Sequence, residues 1–128
     1  MNKYRSKKIS IDGITFDSKK EAERYSELKL LERCGAISNL ELQKVYELIP
    51  AQYELYERYG KNGNRLKDGK KCIEKSCVYK ADFVYIDNET GQQVVEDVKG
   101  YKGGQAYSLF TIKRKLMLER YGIKVKEV

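Results

Sequence analysis

Between Cys77 and Ile86 the chain alternates around a carboxylate: Val78, Lys80, Asp82 and Val84 fall on one parity, Tyr79, Ala81, Phe83 and Tyr85 on the other. That two-residue period is the period of a β-strand. The turn text Asp87-Asn88-Glu89-Thr90-Gly91 follows, then a second strand pattern from Gln92 to Lys99, so the two runs predict a hairpin. Asp82 is the anomaly in it, because burying a carboxylate costs several kcal/mol unless a partner or a metal compensates. In the second strand Asp97 and Lys99 are two residues apart and leave one face, whereas Glu96 and Val98 leave the other. With Asp82 opposite this strand, two carboxylates and an ammonium converge.

The rest of the chain supplies elements to surround that hairpin. Lys8 to Phe16 reads as a tight hairpin on the turn Asp12-Gly13. A helix is predicted from Lys19 to Arg33, with Ser18 as N-cap, Glu21 at the capping-box position and Gly35 as its stop. Its buried stripe is expected through Tyr25 and Leu28, widened by Leu30 and Leu31. Leu40 to Tyr59 reads as two strand segments interrupted at Pro50. The glycine-rich polar text that follows is expected to form a long turn or a mobile loop, a basic connection over residues 59–76. After Gly104 a second helix is predicted from Ala106 to Arg120, with Leu109, Ile112 and Leu116 toward the sheet and Gly122 as its stop. Ile123 and Val125 suggest a last short strand. The length, 128 residues, suits one domain spanning residues 1–128.

Composition narrows the chemistry. The chain has no histidine, which removes His-based hydrolase triads, the common His-containing zinc sites and the usual neutral-pH general base. The three cysteines read as free thiols in a reducing compartment, and Cys72 and Cys77 are too far apart for a zinc knuckle. Catalysis would have to rest on carboxylates, lysines, tyrosines and a hard metal ion. The net charge is +7, and Arg58 to Lys80, with eight basic and two acidic residues, holds +6 of it. That sign favours a polyanionic partner, although an acidic protein or an anionic membrane surface also fits. No run approaches the roughly 18 apolar residues of a spanning helix, so the expectation is a soluble, cytoplasmic protein without a membrane partner.

Mg²⁺ takes hard oxygen ligands, commonly a few from protein with the rest from water and substrate phosphate. The candidate ligands are Asp82, Asp97 and the backbone carbonyl of Val98, with Mn²⁺ as a substitute ion. A phosphodiester resists attack because it is anionic; a metal neutralises developing charge and lowers the pKa of a bound water. Lys99 would orient that water and steady the transition state. The competing account is a surface hairpin whose charges are solvated. Glu96 is the weaker ligand by parity. Glu21 has two readings: a capping residue worth about 1 kcal/mol or less, or an inward acid on the Tyr25 and Leu28 stripe that completes the metal's shell.

These residues carry a resemblance. Asp82 followed by Asp97-Val98-Lys99 resembles the PD-(D/E)XK nuclease signature, with Ala81 at the often degenerate proline position. Asn2-Lys3-Tyr4, the segment from Asp12 to Ala22, Leu40-Glu41-Leu42-Gln43, Ala81-Asp82-Phe83, Val95 to Gly100 and Lys113-Arg114-Lys115-Leu116 look like DUF1064, a phage and prophage family of unknown function. The resemblance covers nearly the whole chain. It implies an α/β, restriction-endonuclease-like fold, a mixed β-sheet flanked by helices, similar to Holliday junction resolvases. It also implies Asp82 and Asp97 as metal ligands, Lys99 as the catalytic lysine and Glu21 as a catalytic acid. A phage- or prophage-encoded protein acting in the bacterial cytoplasm on branched or junction DNA, as a homodimer, is implied in the same way. The stretch from Tyr59 to Ser76 departs from the family's shorter connection. A non-catalytic DNA-binding accessory and an RNA-processing protein are the competing functions.

Candidate DNA contacts are Lys61, Arg65, Lys67, Lys70, Lys71 and Lys75 in the basic connection, and Lys102, Lys113, Arg114 and Lys115 around the second helix. Tyr46, Tyr53, Tyr56, Tyr79 and Tyr85 are candidates for stacking on splayed bases, although strands use tyrosine freely. Tyr4 and Arg5 would contact DNA only from an ordered tail.

Overall fold

The computed structural model describes residues 8–128, so Tyr4 and Arg5 lie outside it. The elements run β1 (Ile9–Ile11), β2 (Ile14–Phe16), α1 (Lys19–Arg33), β3 (Ile37–Ile49), β4 (Gln52–Tyr59), β5 (Arg65–Glu74), β6 (Cys77–Asp87), β7 (Gln93–Asp97), α2 (Gly104–Tyr121) and β8 (Lys126–Glu127). By contacts the chain forms two compact units: residues up to Val45 with Lys80–Val128, and Tyr46–Tyr79.

In the first unit β1 and β2 pair antiparallel around Asp12 and Gly13, both at positive φ, the backbone that a two-residue turn between twisted strands requires. α1 begins as expected. The Ser18 hydroxyl accepts from the Glu21 N–H at 3.1 Å, and Gly35, at φ 80, ends the helix with its N–H on the Glu32 carbonyl. The four-stranded sheet has the order β3-β6-β7-β8, with β6 and β7 antiparallel and β7 and β8 parallel. It is a mixed sheet flanked by two helices. Ala22, Tyr25 and Leu28 of α1 pack with Phe16, Ile37, Phe83 and Tyr85, joined by Val94 and Val98. Lys99, one residue on from Val98, has its Nζ over the ring of Phe110 in α2.

Several sequence expectations need correction. Leu30 and Leu31 do not widen the buried stripe of α1; both are exposed. Leu109 and Ile112 are also exposed, and the buried residues of α2 are Phe110 and Met117. The reason is common to both helices: leucines stand on more than one side, so spacing selects no unique inward face. The final strand is Lys126–Glu127 rather than Ile123–Val125, and β7 stops at Asp97, two residues short.

The second unit corrects the expected connection. Residues 65–74 form β5, paired antiparallel with β4 in a register that sets Tyr53 against Cys72, Tyr56 against Gly69 and Tyr59 against Arg65. Only Gly60 to Asn64 is a turn, closed by the Gly60 N–H on the Asn64 carbonyl at 2.8 Å.

One ionic lock joins α1 to the sheet. Glu96 is fully buried, and Arg24 meets it with both arms, Nε to Oε1 at 2.8 Å and Nη2 to Oε2 at 2.7 Å. The Tyr85 hydroxyl also donates to Glu96. Despite burial, the guanidinium and phenol hold the Glu96 carboxyl below its ordinary pKa. Removing one partner strands a buried charge, so Arg24→Ala is expected to cost about 3–5 kcal/mol. Urea denaturation measures this, and an unchanged midpoint would contradict the lock.

Candidate active site

Asp82 lies on β6 where its pairing with β7 runs out. The last paired residues are Phe83 and Glu96, and beyond them the Val98 N–H donates to Asp82 Oδ2 at 2.8 Å. The other oxygen, Oδ1, accepts from Gln43 Nε2 at 3.3 Å. A side chain thus takes over where the backbone ladder stops, which fixes the carboxylate's direction. Val98 therefore meets Asp82 through its N–H.

Glu21 reaches the same place from the first turn of α1. Its backbone N–H satisfies the Ser18 cap, while its carboxyl forms a hydrogen bond with Asp82. Burial and the negative charge of Asp82 raise the Glu21 pKa from 4.5 to about 7, so the two acids share a proton at neutral pH. Burial also raises Asp82, with the Asp97 charge adding to it and the Val98 N–H opposing it. Lys20, next to Glu21, donates through Nζ to the Lys99 carbonyl. The first turn of α1 therefore touches both β6 and the end of β7.

Asp97 is buried and forms an ion pair through Oδ1 with Lys99 Nζ at 2.8 Å. That ammonium lies 3.7 Å from the centroid of Phe110, within cation–π range. Lys99 is thus held between a carboxylate and an aromatic face. Its backbone is held as well: the Lys99 N–H donates to the Val128 carbonyl at 3.0 Å, and the Val128 N–H donates to the Asp97 carbonyl at 2.9 Å.

Glu21, Asp82, Asp97 and Lys99 come together from three elements, while Glu96 leaves the opposite face into the Arg24 lock. Among the described residues, no group of three or more His, Cys, Asp or Glu side chains stands ready to hold a metal ion by itself. The cluster is a carboxyl pair beside an ion pair, not a closed cage.

Gln43 is the residue that sequence reasoning passed over. It sits in β3 at φ 56, a left-handed backbone that costs a non-glycine residue roughly 1–2 kcal/mol. Asn39 does the same four residues earlier, at φ 56. Such kinks re-aim a side chain in the manner of β-bulges, and at Gln43 the side chain is aimed at Asp82. Alternation alone carries no sign of it.

The basic candidates divide. Lys113 is half-buried one turn beyond Phe110 on the inward side of α2. Arg114 is engaged with Glu127 at 3.3 Å, and the Tyr107 hydroxyl donates to the same carboxylate at 2.7 Å. The charge of Lys102 also helps to lower the Glu127 pKa. Lys115 is exposed. Lys61, Arg65, Lys67, Lys70, Lys71 and Lys75 belong to the other unit, on or beside the β4–β5 hairpin. No helix among the described residues is long and apolar enough to cross a membrane.

A carboxyl whose pKa is higher folded than unfolded binds more protons in the folded state between the two values. Its contribution to stability is therefore lost as pH rises from about 4.5 to about 7. Glu21→Gln is expected to remove that slope and to stabilise the protein near pH 8 in metal-free buffer, by roughly 1–2 kcal/mol after screening by water. Thermal unfolding across this range measures it; parallel curves for the two proteins would contradict a shared proton.

Comparison with known proteins gives a family and no closer relative. No curated protein and no solved structure matches the chain. The family model described as protein of unknown function, DUF1064, matches residues 1–127, and the chain belongs to that family.

Proposed function

We propose that this chain is a metal-dependent DNA endonuclease of the PD-(D/E)XK type, cutting phosphodiester bonds in branched or junction DNA. The observation that carries the reading is the meeting of Glu21, Asp82 and the Asp97–Lys99 pair where β7 ends beside the middle of β6. The mixed sheet flanked by two helices and the sequence resemblance of these residues to the nuclease signature support it.

The donor set fits Mg²⁺ or Mn²⁺. Mg²⁺ is usually held by one or two carboxylates and keeps its remaining positions for water and phosphate, so a closed protein cage is not required. The carboxyls of Glu21 and Asp82 share a proton because their charges repel in a desolvated place, and a cation would relieve the same repulsion. Asp82, Asp97 and the Val98 carbonyl would hold the ion, with Glu21 completing the set. When bound, the ion supplies neutralisation of phosphate charge and acidification of water.

The chain's own residues do the rest. Gln43 and the Val98 N–H orient Asp82. Phe110 confines Lys99 Nζ beside Asp97, where an ammonium can stabilise charge developing on a phosphoryl oxygen. Lys113, next along the inward side of α2, is a candidate for the neighbouring phosphate.

The second reading is a DNA-binding accessory that keeps this fold without cutting. The close Asp97–Lys99 pair favours it, since each group already neutralises the other. Incubation with four-way junction, flap, duplex and single-stranded DNA, with Mg²⁺, Mn²⁺ or chelator, separates the two. The nuclease reading expects metal-dependent products that fall at least about 100-fold in Asp97→Ala and Lys99→Ala proteins of unchanged circular dichroism. Absence of cleavage on every substrate, or full activity in either variant, would overturn it. An RNA substrate in the same series tests the RNA-processing alternative.

A further inference from the structure

The hairpin of β4 and β5 carries side chains that the carboxylate cluster does not explain. All eight residues of β4 are exposed, and in β5 only Gly69 is buried. Tyr53, Tyr56 and Tyr59 are each more than half exposed. A surface that presents this much aromatic area usually has a partner.

Tyr56 shows how one ring is prepared. It lies opposite Gly69 in the register, and its far end crosses that glycine so closely that a Cβ there would stand 2.2 Å from Tyr56 Cζ. Gly69 is not at a left-handed φ, so the glycine answers a close approach, not a turn. The ring is backed by main chain while much of the residue stays open. Lys71, opposite Glu54, leaves the same face as Tyr56 by the two-residue period. Lys70 holds its Nζ 5.9 Å from the centroid of Tyr53.

The charges narrow the partner. Arg65 is engaged with Asp68 at 2.9 Å and Glu57 at 4.0 Å. Among the described residues, Lys61, Lys67, Lys71 and Lys75 make no ion pair. A second copy of the hairpin would bring these unneutralised lysines together, which is unfavourable. Duplex DNA offers base edges in its grooves and no free ring faces. Unpaired nucleotides offer both a ring face and phosphates, the combination that stacking platforms with basic tracks recognise.

We propose that the β4–β5 hairpin binds single-stranded nucleic acid, with a base stacked on Tyr56 and the adjacent phosphates on Lys67 and Lys71. The proposal deepens the nuclease reading by naming the unpaired part of a branched substrate. It concerns binding alone, so the test runs in chelator, where loss of cleavage has no bearing.

The experiment is fluorescence anisotropy of the full chain with a labelled oligothymidylate of about 15 nucleotides and with a duplex of equal length. The single strand is expected to bind more tightly. Tyr56→Leu is expected to weaken it roughly 5- to 100-fold, and Tyr56→Phe to keep it. Gly69→Ala, which displaces the ring, is expected to behave like Tyr56→Leu. Lys67→Gln with Lys71→Gln is expected to lower the slope of log affinity against log salt by about 0.7 per lysine. If Tyr56→Leu loses its circular dichroism, this lysine variant decides, and an unchanged slope overturns the proposal. Wild-type affinity in a folded Tyr56→Leu protein overturns it too. So does a wild-type dimer, seen by sedimentation velocity, that Tyr56→Leu disrupts while oligonucleotide binding persists.

Discussion

The ion pair between half-buried Arg24 and fully buried Glu96 is the constraint on which the first unit depends. Two opposite charges in a core rarely stabilise more than an apolar pair of the same size would, because both lose their hydration. Their geometry, however, is singular. A planar guanidinium meets a carboxylate with two parallel hydrogen bonds, so α1 cannot slide or rotate on β7 without breaking them. Glu21 stands one turn before Arg24 and Asp97 one residue after Glu96, so the lock registers two members of the acidic cluster against each other.

The two acids of β7 show how strand parity divides labour. Glu96 and Asp97 are neighbours with the same functional group, and both are buried. One leaves the sheet toward α1, where Arg24 and Tyr85 hold it ionised; the other leaves toward Lys99 and Phe110. Glu21 and Asp82 are placed differently again. Burial and the charge of Asp82 raise the Glu21 pKa to about 7, and this gives a chain without histidine a group that titrates near neutrality.

The β4–β5 hairpin follows another economy. Its strands are held by main-chain bonds and cross-strand contacts, with a buried glycine in place of a core residue. Both faces are therefore exposed, and among the residues on them are tyrosines, leucines and lysines without an ion pair, interspersed with Glu54, Glu57, Asp68 and Glu74. A two-stranded ribbon of this kind is marginal in isolation, which makes apolar side chains on its exterior costly unless they meet something.

Local chemistry in the sequence determined the elements. The Asp12-Gly13 turn, the Ser18 cap, the Gly35 and Gly122 stops and the alternation from Cys77 to Ile86 each act within a few residues, and each element formed where they pointed. Parity separated Asp97 and Lys99 from Glu96 because a pleated strand leaves no other choice. Tertiary structure decided what depends on distant partners. The face of α2 turned inward was set by what Phe110 and Met117 could fill, not by the count of leucines. Arg24 became the partner of Glu96 across 72 positions, and Gln43 was turned onto Asp82 by a left-handed residue inside a strand. The polar text from Arg65 to Glu74 became a strand because β4 offered it a ladder, and pairing energy between segments is invisible in either segment alone.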